Sequence, residues 1–274
     1  MKHLIFSSWM KSLNICSLIR LILLNTISMK SINKKKSILF FTALFVSLSL
    51  VMAFYSNSLF QMLYAEKVWA HKINSIEELK QVANKYSGIE LDIVFHSDLN
   101  QFEVNHPPDT SLNLFLDEYL QTAHALDPDL KFWLDFKNLN SKNDEQALIE
   151  LTNQIELIGI TKSRIIVESV KAELLQAYKK SGFLTCYYLP QNLTKMEATK
   201  QKFQLAKVKK NLELNLNYIS SNYVDYRFVN EHFTNQKKLF WFAAYGSMSK
   251  FKARLLLHKI QNDQSVDILL MPYD

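Results

Sequence analysis

Short runs of β-branched and aromatic residues alternate with stretches of helical period from Val68 to Met271, and few folds accept that rhythm. A strand followed by a helix and a second strand sets the two strands parallel through a right-handed crossover. Repeated units therefore build either a closed barrel or an open doubly wound sheet. The strand runs are Val68–His71, Ile89–Phe95, Lys131–Lys137, Arg164–Glu168, Leu184–Leu189, Tyr218–Tyr223, Lys238–Ala244 and Val266–Met271. Helical patterns fall between them at Leu114–Leu126, Asp144–Ile158, Ala172–Lys180, Lys195–Leu214, Phe228–Phe233 and Ser249–Gln261, and one more starts at Ser75. There Ser75 and Glu78 have the spacing of a capping box. A polar turn at Ser97–Asn100 sends the chain back through Gln101–Asn105 before His106-Pro107-Pro108 ends that run. Eight strands, each but the last followed by a helix, predict an α/β fold of the (β/α)8 TIM-barrel type over residues 66–274. The open sheet is disfavoured, because no glycine-rich phosphate loop follows any strand.

The N-terminal part has a different character. Residues 37–65 contain no charge, and Ile38–Tyr55 approaches the roughly 20 apolar residues that a helix needs to cross a bilayer. Lys34-Lys35-Lys36 stands directly before it, which by the positive-inside rule keeps residues 1–36 cytoplasmic and sends the barrel across. The expectation is a transmembrane signal anchor with a short linker over residues 37–65. A cleaved signal peptide is the other reading, with Leu63-Tyr64-Ala65 as the cleavage site and a secreted product. Met29 competes with Met1 as the start, and Arg20 interrupts a second apolar run at Leu13–Ile27.

The formal charge of +6 invites a nucleic-acid reading, but its distribution removes it. Residues 1–65 hold seven of the 32 basic residues and no acid, leaving 25 basic against all 26 acidic residues in the rest. The barrel region has no electrostatic footprint for DNA or RNA, so no nucleic-acid partner is expected. Cys16 and Cys186 lie on either side of the apolar segment, so an intramolecular disulfide is not expected.

Chemistry in such barrels sits at the C-terminal ends of the strands, and the notable polar residues fall there. His71 ends the first strand. Glu90 and Asp92 are two apart on the second, so both face one way. His106 follows the return run. Asp135 and Lys137 are again two apart, on the third strand, with Leu91, Ile93, Leu134 and Phe136 on the opposite face. Inward charges are costly unless paired or bound to an ion, and three carboxylates converging on one mouth are how a hard cation is held. Two histidines beside it suit a general base and a general acid. Taken singly, an E-x-D pair is a common solvated face, and a histidine before Pro-Pro is a common turn residue. The joint order of the five positions is what singles them out.

In that order the chain resembles the menorin family. The carrying segments are Ala70-His71-Lys72-Ile73-Asn74-Ser75, Gly88-Ile89-Glu90-Leu91-Asp92, Asn105-His106-Pro107-Pro108 and Leu134-Asp135-Phe136-Lys137. That family is itself similar to glycerophosphodiester phosphodiesterases and spider-venom phospholipase D enzymes, of the phospholipase-C-like barrel type. The resemblance implies a phosphodiester-cleaving site. It makes Glu90, Asp92 and Asp135 ligands of Mg²⁺ or Ca²⁺, His71 and His106 the catalytic pair, and Lys137 a phosphate holder. Asn74, Trp133, Glu168 and Trp241 are then substrate-contact candidates. The chain departs from the phosphodiesterases after His71, where Lys72-Ile73-Asn74 replaces their Arg-Gly and a further acidic ligand. It departs again after His106, where Pro107 stands in place of an Asp. A non-catalytic binding or adhesion module that kept the metal site is the alternative, suited by the aromatics Trp133, Tyr187, Tyr188, Trp241 and Phe242. A glycosidase with Glu90 and Glu168 as its carboxylate pair is weaker, because it leaves both histidines and Lys137 unexplained.

Overall fold

The computed structural model describes residues 34–242 and 248–273. The alternative start at Met29, the run at Leu13–Ile27, Cys16 and the end of the expected strand at Ala243–Ala244 lie outside them. The chain divides into two units, Met1–Ser56 and Asn57–Asp274. In the first, α1 (Lys34–Tyr55) includes Ser37–Tyr55, a 19-residue stretch long and apolar enough to cross a membrane.

The second unit is the barrel. Its strands are β1 (Val68–Ala70), β2 (Gly88–His96), β3 (Gln101–Val104), β4 (Lys131–Phe136), β5 (Ile165–Ser169), β6 (Leu184–Tyr188), β7 (Tyr218–Asn222), β8 (Lys238–Trp241) and β9 (Val266–Met271). All except β3 are parallel to their neighbours, in the order β1-β9-β8-β7-β6-β5-β4-β2, and β1 pairs with β2 to close the ring. The expected eight-stranded parallel barrel is present. The return run β3 is antiparallel to β2 and hangs outside the ring, pairing Val94 with Glu103 and Phe95 with Phe102.

Alternation along each strand sorts the residues into two layers. Trp69, Trp133, Ile166, Cys186, Leu239, Ile268 and Leu270 pack together inside the ring. Ile89, Leu91, Ile93, Phe132, Leu134 and Phe136 belong to the larger layer between ring and helices. That layer is covered by α3 (Ile76–Val82), α4 (Leu116–Leu126), α5 (Asp144–Ile158), α6 (Leu175–Lys180), α7 (Ala198–Leu212), α8 (Tyr226–His232) and α9 (Lys250–Gln261). Gly88 is required by the inner layer, since a Cβ there would meet the Trp69 ring at 2.3 Å. Gly159 ends α5 in the left-handed conformation (φ 87°), where glycine is favoured.

Several boundaries differ from the periodic reading, each for a local reason. Helix α7 starts at Ala198 rather than Lys195, because the Glu197 side chain accepts from the Thr199 and Lys200 amides and caps it there. Helix α4 starts at Leu116, since Leu114 and Phe115 are drawn into pairing with β3. The expected linker before Glu66 contains a further helix, α2 (Asn57–Leu63), that belongs to the barrel unit. Phe60 is its anchor: it is buried against the rings of Tyr64 and His258 and beneath the Arg254 guanidinium.

Candidate metal and phosphodiester site

Register fixes the acids before any side-chain choice is made. Asp92 on β2 pairs in register with Asp135 on β4, which pairs with Glu168 on β5, which pairs with Cys186 on β6. One row of residues thus runs sideways around the inside of the barrel. Glu90 stands two residues before Asp92 on the same face, in register with Trp133. Oxygens from Glu90, Asp92 and Asp135 all lie within 4.8 Å of one another.

Backbone and side-chain donors hold these carboxylates in place. The Lys72 amide donates to Glu90 Oε2 (2.8 Å), and Lys72 adopts a left-handed conformation (φ 59°) in doing so. Asn74 Nδ2 donates to Asp92 Oδ2 (2.7 Å), while the Asp92 amide donates to Asn74 Oδ1 (2.9 Å). The Lys137 ammonium forms ion pairs with both Asp92 and Asp135. Burial works against its charge, but the two carboxylates more than offset that and push its pKa up.

Crowded carboxylates prefer to hold protons. Burial, then the charges of Asp92 and Asp135, push Glu90 well above the ordinary range, against the pull of the Lys72 amide. Asp135 is raised by burial despite Lys137 beside it. Ionised together, the three acids exceed the charge of the one ammonium beside them, and a hard divalent cation would neutralise that excess in place of protons. The donor set, all carboxylate oxygen, is the kind Mg²⁺ and Ca²⁺ take, so these residues fit the expected ion.

The histidines flank the acids in two different settings. His71 is pinned through its amide to the Met271 carbonyl (3.0 Å), and its Nε2 lies 3.6 Å from Glu90 Oε2. Burial holds its pKa down at about 4, although the Asp92 charge works the other way, so His71 is neutral near pH 7. His106 is partly exposed on the loop after β3, and its Nδ1 lies 3.4 Å from Asp109 Oδ2. That loop begins where the Asn105 amide donates to the Asp92 carbonyl (3.0 Å), which brings His106 to the mouth.

His71, Lys72, Glu90, Asp92, His106, Trp133, Asp135, Lys137, Glu168, Tyr188, Gln191, Trp241 and Leu270 surround a cavity of about 200 Å³ at the C-terminal end of the strands. All the candidate catalytic, metal-ligand and substrate-contact residues but one share this lining, whereas Tyr187 and Phe242, expected among the aromatics of a binding mouth, are buried instead in the outer layer between ring and helices. Asn74 is not part of the lining, because both ends of its amide are engaged by Asp92. Trp133 and Glu168 form part of the floor. Burial and the Asp135 charge raise the Glu168 carboxyl to about 8, against the hydrogen bonds of Ser220 and Cys186. The Trp133 indole N–H is buried without a hydrogen-bond partner among the described residues. Trp241 stands between Tyr188 and His71, with ring centres 6.3 Å from each.

Sequence reasoning gave no role in the site to Asp109, Lys72, Gln191 or Leu270. Asp109 reaches His106 only because the chain turns at Pro107-Pro108, where the Asp109 amide donates to the His106 carbonyl (2.8 Å). An acid three residues after a histidine across a proline turn is the signal that would have found it. Gln191 comes from the loop after β6 and bonds the Tyr188 hydroxyl, and no strand period points to it.

No protein-family model matches the sequence, and no curated protein does. Solved structures share the fold at low identity. A glycerophosphodiester phosphodiesterase from Parabacteroides distasonis aligns at 16% identity over 74% of this chain and 91% of its own, with a TM-score of 0.54. A phosphodiesterase from Oleispira antarctica, solved with sn-glycerol-3-phosphate, aligns at 11% identity over 76% of this chain and 94% of its own, with a TM-score of 0.51. The chain therefore has the barrel fold that glycerophosphodiester phosphodiesterases share.

Proposed function

We propose that this chain is a divalent-cation-dependent phosphodiesterase that cleaves glycerophosphodiesters or phospholipid headgroups outside the cytoplasm. One observation carries the reading: the Glu90, Asp92 and Asp135 oxygens converge within 4.8 Å in a cavity that His71 and His106 both line. The fold likeness to phosphodiesterases supports it. Glu90, Asp92 and Asp135 would hold Mg²⁺ or Ca²⁺, which when bound supplies charge neutralisation for the non-bridging phosphoryl oxygens.

The chain's own residues divide the remaining work. His71, neutral and only slightly exposed, accepts the proton of the attacking water or hydroxyl. His106, wetter and beside Asp109, donates a proton to the departing alcohol oxygen. Lys137 holds Asp92 and Asp135 and presents its ammonium toward the phosphoryl group. The Trp133 N–H offers a buried donor to a substrate oxygen, Glu168 adds a polar floor, and Trp241 walls the leaving group. Asn74 contributes through Asp92.

We read residues 1–36 as a cytoplasmic segment and α1 as a membrane anchor, with the barrel on the far side. The packing of Phe60 and Tyr64 on His258 supports retention of the segment over cleavage after Ala65, which would strip α2 from the barrel. A menorin-like binding module is the second reading. The observation that favours it is that Lys137 already pairs with two of the three acids while Ile73 and Asn74 bring no further acid.

The test is hydrolysis of a panel of glycerophosphodiesters and lysophospholipids with Mg²⁺, with Ca²⁺ and with chelator. Turnover should require the cation and fall at least ~100-fold in His71→Ala and in His106→Ala. Full activity in both variants would remove the mechanism. Silence of a folded protein across the panel would favour the binding module.

A further inference from the structure

A second polar cluster lies outside the cavity, on the hairpin that delivers His106. Glu103 on β3 is buried (5% exposed), yet it carries a carboxylate on a strand outside the ring. Its Oε2 meets His96 Nε2 at 2.8 Å, and its Oε1 accepts from the Ser111 hydroxyl. Ser111 in turn accepts from the Asn113 amide (3.0 Å), which helps turn the chain at the left-handed Asn113. The ends of the intervening loop are stitched beside it: the Val104 amide donates to the Leu114 carbonyl (2.8 Å), and Glu103 bridges to Phe115. Nothing in the proposed proton transfers uses this cluster. It is an expensive thing to bury unless the charge is well bonded.

We propose that Glu103 is the positioning residue for His106: by binding His96 and Ser111 at once, it locks the 105–113 loop in the form that brings His106 to the cavity. This rests on the reading of His106 as the proton donor. Besides its bonds to Glu103 and Ser111, the loop is held by three contacts, the Asp109 carboxylate on the His106 imidazole, the Asp109 amide on the His106 carbonyl and the Asn105 amide on the Asp92 carbonyl, and all three lie within residues 105–109. Ser111 supplies the missing hold on the second half. The bonding also overcomes burial: the Glu103 carboxyl would be pushed up by its surroundings, yet the Ser111 and His96 hydrogen bonds bring it below its ordinary value. The carboxylate is therefore the form that accepts both partners. A donor displaced by about 1 Å can lose on the order of 100-fold in rate, so a loosened loop would register in turnover before it registered in folding.

The experiment compares full-length wild type, Ser111→Ala, Ser111→Thr, Glu103→Gln and His106→Ala on bis(4-nitrophenyl) phosphate with Mg²⁺. Amide hydrogen exchange is followed in parallel. Ser111→Ala should lose about 10- to 100-fold in kcat with KM nearly constant, and Ser111→Thr should restore it. Exchange at Asn105 and Asp109 should quicken about tenfold in Ser111→Ala and Glu103→Gln while the barrel strands stay unchanged. Unaltered kcat and unaltered exchange in Ser111→Ala, beside an inactive His106→Ala, overturns the positioning role alone. An active His106→Ala, or a wild type without turnover, overturns the reading on which it rests. A kcat loss that Ser111→Thr does not rescue, with exchange raised throughout the barrel, marks a purely structural serine and also overturns the proposal.

Discussion

Asn74 clasps Asp92 from two sides, its amide nitrogen on the Asp92 carboxylate and its amide oxygen on the Asp92 backbone N–H. A side chain that fixes both the orientation and the backbone of a neighbouring carboxylate acts on a cation without touching it. Groups in this role typically change metal affinity by about 10- to 100-fold when removed. Asn74→Ala should weaken Mg²⁺ or Ca²⁺ binding by about tenfold in calorimetric titration, with the fold intact by circular dichroism. Unchanged affinity would mean that Asp92 needs no such support.

Lys137 makes the cation-free site tolerable. Its ammonium lies against Asp92 and Asp135, and its removal leaves two like charges facing each other in a largely buried place. Breaking a buried pair costs about 3–5 kcal/mol, and partial exposure of Lys137 lowers the expected cost of Lys137→Met to about 2 kcal/mol. The loss should appear in thermal melts with chelator and shrink when Mg²⁺ is added. A variant that melts like wild type in chelator would show that the three groups do not stabilise one another.

Stability without cation should depend on pH in a definite sense. The Glu168 carboxyl rises from its ordinary 4.5 to about 8 through burial, so its contribution is complete below pH 4.5 and is lost as pH rises through 8. Glu90 and Asp135 are raised for the same reason and act with the same sign. His71 acts oppositely: held down at about 4, it contributes fully above its ordinary 6.5 and loses that contribution as pH falls toward 4. A cation competes with the protons on Glu90 and Asp135, so the melting-temperature gain from Mg²⁺ should be larger at pH 8 than at pH 5. Equal gains at the two pH values would place the ion elsewhere.

Gly88→Ala should be poorly tolerated. The new methyl would enter the Trp69 ring at 2.3 Å, and that ring is packed inside the barrel and cannot swing aside cheaply. Overpacking of this kind costs about 1–3 kcal/mol. A double change, Gly88→Ala with Trp69→Phe, should recover part of the loss in denaturant titration. A single variant as stable as wild type would show that the barrel floor yields.

The barrel was legible because its signal is local. Period-two alternation within Ile89–Ile93 and Phe132–Phe136 states which face each residue takes, and parallel register then brings Asp92 beside Asp135 without further information. The same logic read Glu90 and Lys137. What escaped depends on loops and on partners far along the chain. Asp109 joins His106 through a proline turn, Ser111 joins Glu103 across eight residues, and Asn74 turns out to serve Asp92 rather than the cavity. Phe60 fell within the expected linker, since nothing beside it in sequence announces that Arg254 and His258 will cover it.

The hydrogen bond from His71 to Met271 ties the first strand of the ring to the last. During synthesis these residues appear nearly a whole domain apart, and the cavity also waits for Leu270. A growing chain thus holds its acids early, on β2 and β4, but cannot seat His71 until β9 has emerged and closed the ring. Reactivity in this arrangement would arrive in one step, at the end of assembly, and a barrel caught half-made would carry the carboxylates without the base beside them.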